Sequence, residues 1–182
     1  MVGNAASNNN NGLRLLYSDY NELRENTANK NSATGIALIT SIHNTLVRNS
    51  VTYNYRGFEL ATNSNYNTLV NNTVAHNSGF GISVSSCTNN KIYLNTFELN
   101  SQNANDGGGS NNAWDDSVSL GNYWDDYSGS GVYAIPGSSN SVDHYPIFVD
   151  SLPPTIDSPD DVTYAEGTTN HWVTWTPTDA HP

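Results

Sequence analysis

The side chains with chemistry to offer fall into three groups, and each recurs at a spacing. Tyr20, His43 and Tyr66 stand 23 residues apart, as do Tyr53 and His76. Flat rings in file would suit the apolar faces of sugar rings, although tyrosine is also a favourable exposed strand residue. Trp-Asp-Asp occurs twice, bringing Asp115, Asp116, Asp125 and Asp126 beside Trp114, Trp124 and Tyr127. Carboxylates of this kind suit Ca²⁺ or acid–base work on sugars. Adjacent aspartates on a strand point to opposite faces, so each pair offers one site a single carboxylate. The three large rings are further carbohydrate candidates; placed where a repeat array stops, they equally suit a lid over its core. His43 and His76 fall in different columns with no third ligand nearby, a poor metal pair. The single cysteine, Cys87, excludes an intrachain disulfide and a Cys-only zinc site, and reads as a small packed side chain.

The elements that must position these residues repeat. Glycines 12, 35, 57 and 81 open four related segments, 23, 22 and 24 residues apart. Behind each glycine the apolar positions alternate: Leu13 and Leu15, Ile36 and Leu38, Phe58 and Leu60, Ile82 and Val84. Two more apolar columns follow, Leu23/Leu46/Leu69/Ile92 and Ala28/Val51/Val74/Phe97. A period of two over four to six residues is a strand signature, and no run supports a helix. Like residues recurring in every segment require neighbouring turns to pair in parallel and in register. The expectation is an all-β, right-handed parallel β-helix of about four turns, about 19 Å tall.

Three asparagine columns strengthen it. They are Asn21/Asn44/Asn67/Asn90, Asn26/Asn49/Asn72/Asn95 and Asn31/Asn54/Asn77/Asn100. A side-chain amide both donates and accepts, so stacked asparagines can bond along the column. Asparagine also tolerates left-handed backbone, so all three read as corner ladders. If a ladder faces inward, Asn72→Ala should cost about 1–3 kcal/mol.

Domain organisation follows from where the period holds. Residues 1–11 read as a frayed end or the tail of a preceding turn, 12–103 as the repeats and 104–150 as a Trp/Asp-rich cap. The segment SQNANDGGGS after Asn100 reads as a flexible loop with an isolated Asp106. From 151 a Pro-Pro linker leads to alternating runs at 162–164 and 172–175. These resemble the first strands of an immunoglobulin- or fibronectin-like sandwich, truncated well short of the seven it needs.

Charge divides the chain. All six Lys and Arg precede residue 100, where they face five acids; the remaining twelve acids of the 17 follow it with no cation. Such a half repels phosphate backbones and argues against nucleic acid, while remaining attractive to divalent cations. No stretch reads as a signal peptide or a membrane span, and repeats that begin at once suggest a piece of a longer chain.

The asparagine-laced repeats followed by GNYWDDYSGSGVYAIPGSSNSVDHYP resemble NosD-type right-handed β-helix proteins, over about residues 8–150. The most specific part runs from Gly121-Asn122-Tyr123-Trp124 to Asp143-His144-Tyr145-Pro146. The resemblance implies a pectin-lyase-like fold within a class of carbohydrate-binding and sugar-hydrolase β-helices, and extracytoplasmic placement. Only by that resemblance are Ca or Cu implied. The chain offers Met1, Cys87 and five scattered histidines, not a copper cluster. The expectation is a non-catalytic β-helix module binding a glycan or other surface polymer beside neighbouring domains. The alternatives are a NosD-type copper accessory protein and a polysaccharide lyase or glycoside hydrolase. The lyases of this fold work with an Arg or Lys base beside metal-bound carboxylates, and the acidic half here has neither cation.

Overall fold

A computed structural model describes residues 1–149 together with 155, 156, 167, 169, 172, 174, 177 and 178. Each repeat folds into one six-residue strand and two three-residue strands. After β1 (Ala5–Ser7), the first full turn comprises β2 (Asn11–Leu16), β3 (Glu22–Arg24) and β4 (Thr27–Asn29). The second comprises β5 (Thr34–Ile39), β6 (Thr45–Val47) and β7 (Ser50–Thr52). The third comprises β8 (Arg56–Ala61), β9 (Thr68–Val70) and β10 (Thr73–Ala75). The fourth comprises β11 (Phe80–Ser85), β12 (Lys91–Tyr93) and β13 (Thr96–Glu98). Like strands of successive turns pair in parallel, giving three sheets that run the length of the rod.

The expected columns are the observed registers. Leu13, Ile36, Phe58 and Ile82 lie opposite one another in series, as do Leu23, Leu46, Leu69 and Ile92. The glycine column is demanded by the next turn. A Cβ at Gly12 would meet the Gly35 carbonyl at 2.5 Å, and one at Gly81 the Asn103 carbonyl at the same distance. No side chain fits between backbones that close.

Of the two readings of residues 1–11, the tail of a preceding turn is the one observed: β1 pairs with β4, Ala6 opposite Ala28. The expectation at the other end needs correction: the segment after Asn100 is not a flexible loop. Gln102–Gly107 is β14, the fifth rung of the long-strand sheet, with Ala104 opposite Ile82 and Asp106 opposite Val84. A bridge at Ala113 and β15 (Tyr123–Trp124) complete that turn, so the rod has five rather than about four. The fifth escapes the repeat count because its last strand arrives late: Asn122 lies 27 residues after its rung partner Asn95, instead of 23.

The corner role expected of the asparagines also needs correction, because it is displaced by one residue. Asn44, Asn67 and Asn90 of the first column are buried, as are Asn26, Asn49, Asn72 and Asn95 of the second and Asn31, Asn54 and Asn77 of the third. Asn21 and Asn100, at column ends, are less covered. None of the twelve has left-handed backbone; that falls on the residue before each of them. Tyr20, His43, Tyr66 and Asn89 have φ of 56–58°, and Lys30, Tyr53, His76 and Leu99 have φ of 53–57°. Glu25, Arg48, Asn71 and Leu94 do the same for the second column, again at 53–57°.

That conformation turns the preceding side chain outwards and sends the ladder asparagine beneath the corner. The reason is bonding: inside, each amide serves the turns on both sides. Asn44, Asn67 and Asn90 accept the N–H of the preceding rung at 2.8–2.9 Å, and Asn54 and Asn77 do so at 2.9 Å. Asn72 shows the full set. Its Oδ1 accepts from the Asn49 N–H and Nδ2 at 2.9 Å each, and its own Nδ2 donates to Leu46 O and Asn95 Oδ1.

Beyond the fifth turn the cap adds an antiparallel pair, β16 (Tyr133–Ala134) with β17 (Val142–Asp143). The chain divides into two compact units, Met1–Phe148 and Val149–Pro182. In the second unit Thr155–Ile156 (β18) pairs antiparallel with Pro177–Thr178 (β19). The run expected at 162–164, and half of that at 172–175, lie outside the described residues.

Candidate functional site

The outward corner residues do form files. Tyr20, His43 and Tyr66 stack with ring centroids 4.9 and 5.1 Å apart and planes within 13°. Tyr53 and His76 stack at 4.7 Å and 3° at a second corner. These separations are the strand spacing itself. The stacking narrows the expected sugar platform: His43 has a ring on each face, Tyr20, Tyr66, Tyr53 and His76 each have a ring on one, and the rims of both files face outwards. Tyr20 is 77%, Tyr53 53% and Tyr66 51% exposed, so phenol hydroxyls and imidazole edges line the flank at the pitch of the rod.

The tryptophans part company with these. Trp114 and Trp124 are buried, so neither offers a face to a sugar. Trp124 continues the widening column Ala28, Val51, Val74, Phe97, stacking on Phe97 at 4.5 Å and beneath Tyr133 at 4.3 Å. Ala104, standing where earlier turns carry Ile82 and Phe58, leaves a smaller side chain at this level of the core. Tyr127 is half-buried, edge-on to Tyr133 and Phe148, its hydroxyl donating to Gly131 O at 2.6 Å.

The four candidate metal carboxylates do not converge. Asp115 accepts from the backbone and ring of His144 and from the Ser117 N–H. Burial alone would push its carboxyl up; the bonds from His144 and Ser117 outweigh that and hold it below 3.8. One oxygen of Asp116 gathers the N–H groups of Leu120, Ser119 and Val118, which lower it too. Asp125 and Asp126 both accept from Asn103 Nδ2, and Asp125 also from the Leu99 N–H. Among the described residues no three His, Cys, Asp or Glu side chains are grouped to hold a metal ion.

Two aspartates outside the candidate metal set organise the cap. Asp106, far from isolated, accepts from Asn112, Trp114 Nε1, Ser139 and Ser141. Asp143 accepts from the Asn122 N–H, Trp124 Nε1 and the Tyr145 N–H. Burial raises the Asp143 carboxyl, against the pull of those donors. Each Trp-Asp-Asp tryptophan thus hangs its indole N–H on a buried aspartate from another strand. No local spacing marks these pairings; they span 8 and 19 residues.

Between residues 111–117 and 139–145 lies a cleft of about 540 Å³. Its inner wall includes Trp114 and the Asp115–His144 pair, with His144 Nδ1 2.8 Å from Asp115 Oδ2. Sequence reading passed over His144 because its partner is 29 residues away, although the Asp-His-Tyr-Pro segment stood out.

Parallel in-register sheets, inward asparagine ladders and a sealed end define a parallel β-helix. The family model described as periplasmic copper-binding protein (NosD) matches residues 1–129, and the chain belongs to that family. Two solved structures are similar in fold, both mutants of the periplasmic alginate epimerase AlgG. One is 21% identical with a TM-score of 0.41, covering 62% of this chain and 30% of that one. The other is 20% identical with a TM-score of 0.45, covering 81% and 36%. The chain therefore spans about a third of the length of those proteins. No curated protein matches it.

The family description names copper, and among the described residues the histidine and cysteine donors are not grouped to fit it. Cys87 is buried, His43 is sandwiched between two tyrosines, His76 lies on Tyr53, and His144 is tied to Asp115. Copper wants such donors clustered.

Proposed function

We propose that this β-helix is a non-catalytic extracytoplasmic module that holds carbohydrate or another hydroxyl-rich surface polymer along its aromatic flank. One observation carries the reading: exposed rims of Tyr20, His43 and Tyr66, repeated every 5 Å or so in a stack already ordered before any ligand arrives. A linear polymer laid along the rod meets a hydrogen-bonding ring edge at each of three turns: phenol, imidazole, phenol. Rings fixed by their neighbours lose little further freedom on binding, which removes part of the usual entropic cost. The repeats carry a near-balanced charge, so this flank does not repel a weakly acidic chain as the C-terminal half would.

The extracytoplasmic placement rests on the family description. Among the described residues no helix is long and apolar enough to cross a membrane, which leaves membrane attachment elsewhere open. The non-catalytic reading is supported by the engagement of the cap carboxylates in hydrogen bonds that hold the fold.

Affinity electrophoresis through gels of neutral and acidic polysaccharides, with turnover assayed on the same panel, tests the proposal. At least one polysaccharide should retard the protein without being cleaved or epimerised. Tyr20→Ala with Tyr66→Ala should weaken retardation about tenfold, the equivalent of about 1.4 kcal/mol. Equal retardation of that double variant, or retardation by no polysaccharide, overturns the reading; product formation would make the chain an enzyme instead.

A further inference from the structure

The cap cleft is separate from the aromatic flank and has its own division of labour. Its floor is locked. Asn112, Ser139 and Ser141 each donate to the buried Asp106 behind them, and Asp115 is engaged by His144 and Ser117. Its rim is not. Asn111, Ser117 and Asn140 carry exposed side chains, and Tyr145 is 41% exposed; among the described residues no hydrogen bond engages these side-chain polar groups. His144 is exposed and held by Nδ1, which leaves Nε2 as its unengaged nitrogen. An ionised Asp115 fixes the ring proton on Nδ1, so a neutral ring presents Nε2 as an acceptor. A preformed concave wall with a few convergent polar groups and an aromatic ring is how small-molecule sites are built.

From this arrangement we infer that the cap cleft is a second binding site, taking a single uncharged sugar unit or the end of a neutral glycan. A sugar hydroxyl donates to His144 Nε2, and the side-chain amides of Asn111 and Asn140 pair with neighbouring hydroxyls. The Tyr145 ring supplies the apolar face that pyranoses favour. The volume, about 540 Å³, is of the order that small-molecule pockets have. Charge sets the class. Asp115 is the one charged residue besides His144 in the lining, and Asp106 bonds the lining residues from behind; the lining has no Lys or Arg, and Lys91, paired with Ala113, stands beside Asp116, so an anionic uronate is disfavoured.

The test is a titration of the full chain, ¹⁵N-labelled, with cellobiose, maltose and chitobiose, and with a digalacturonate as the anionic probe. At least one neutral disaccharide should shift the resonances of Asn111, Asn140, His144 and Tyr145 saturably, with Kd on the order of millimolar. Tyr145→Ala should weaken that binding about tenfold, and His144→Ala should do so with the fold confirmed by an unchanged repeat-region spectrum. The digalacturonate should leave the cleft unshifted. Saturable shifts that persist unchanged in Tyr145→Ala, or equal binding of the uronate, overturn the site. So do shifts confined to the Tyr20 and Tyr53 corners, a result that would leave the flank proposal standing.

Discussion

A ladder asparagine makes more bonds than its single side chain suggests, and that fixes what its loss costs. Asn72→Ala removes the acceptor of two donors from Asn49 and the donor to Leu46 O at once. Each buried orphan costs about 1–3 kcal/mol, so the variant should fall at or above the top of that range in urea unfolding. Cys87 sits where Ser18, Ser41 and Ser64 stack, with Ser41 N–H donating to Ser64 Oγ. Cys87→Ser should extend that column, its buried hydroxyl taking the Ser85 O acceptor, and change stability by about 1 kcal/mol or less. The cap aspartates should titrate in opposite senses. Asp115 and Asp116 lie below 3.8 in the fold, so their stabilisation is present above that pH and is lost as acid takes it through the folded values. Asp143 lies above 3.8, so its protonation on acidification favours the folded state and its ionisation at neutral pH opposes it. Carboxyl ¹³C shifts followed from pH 7 to 2 should show Asp143 protonating first; Asp115 protonating before it would contradict the assignment.

At the scale of elements, the ladders have a direction. Every rung donates from N–H and Nδ2 towards the next turn, so each column presents unpaired donors at its C-terminal end. Each column there meets a carboxylate. Asn112 reaches Asp106, Asn122 reaches Asp143, and the third column passes through Asn103 to Asp125 and Asp126. Aligned amide chains polarise one another, so a carboxyl oxygen that accepts at the donor end is a fitting terminator. Asp143→Ala should strand the Asn122 N–H and Trp124 Nε1 and cost about 3 kcal/mol or more, while Asp143→Asn, which keeps an acceptor, should cost less. Thermal melts of the two variants rank them directly. The repeats were legible in the sequence because one turn is one period: Leu23 predicts Leu46, Leu69 and Ile92 without knowledge of anything distant. The cap was legible only in kind. That Trp114 and Trp124 close a core follows from ring size and position. That Asp106 and Asp143 hold them does not, since the pairing depends on how 104–145 folds back over the last rung. The left-handed corners were misassigned for a related reason. Composition marks asparagine as the tolerant residue, whereas here the amides of Asn44, Asn54, Asn67, Asn77 and Asn90 bind adjacent turns from inside, and Tyr, His, Lys and Leu accept the strained φ.

For the whole molecule, the widening column from Ala28 to Trp124 and the charge asymmetry run the same way along the rod. The near-neutral repeats expose tyrosine and histidine rims, and the acidic end is sealed by rings and carboxylates. Trp124→Ala should therefore act on the entire β-helix, costing about 3–5 kcal/mol through the emptied end of the core. It should leave polymer contact at the distant Tyr20 corner intact while the protein stays folded. The functional account stands on the aromatic corners, and the most direct measurement is ¹⁵N chemical-shift mapping with the polysaccharide fragment that retards the protein. The account predicts shifts at residues 20, 43 and 66 and at 53 and 76, in file along the flank. A bound fragment that leaves all five corners unshifted would contradict it.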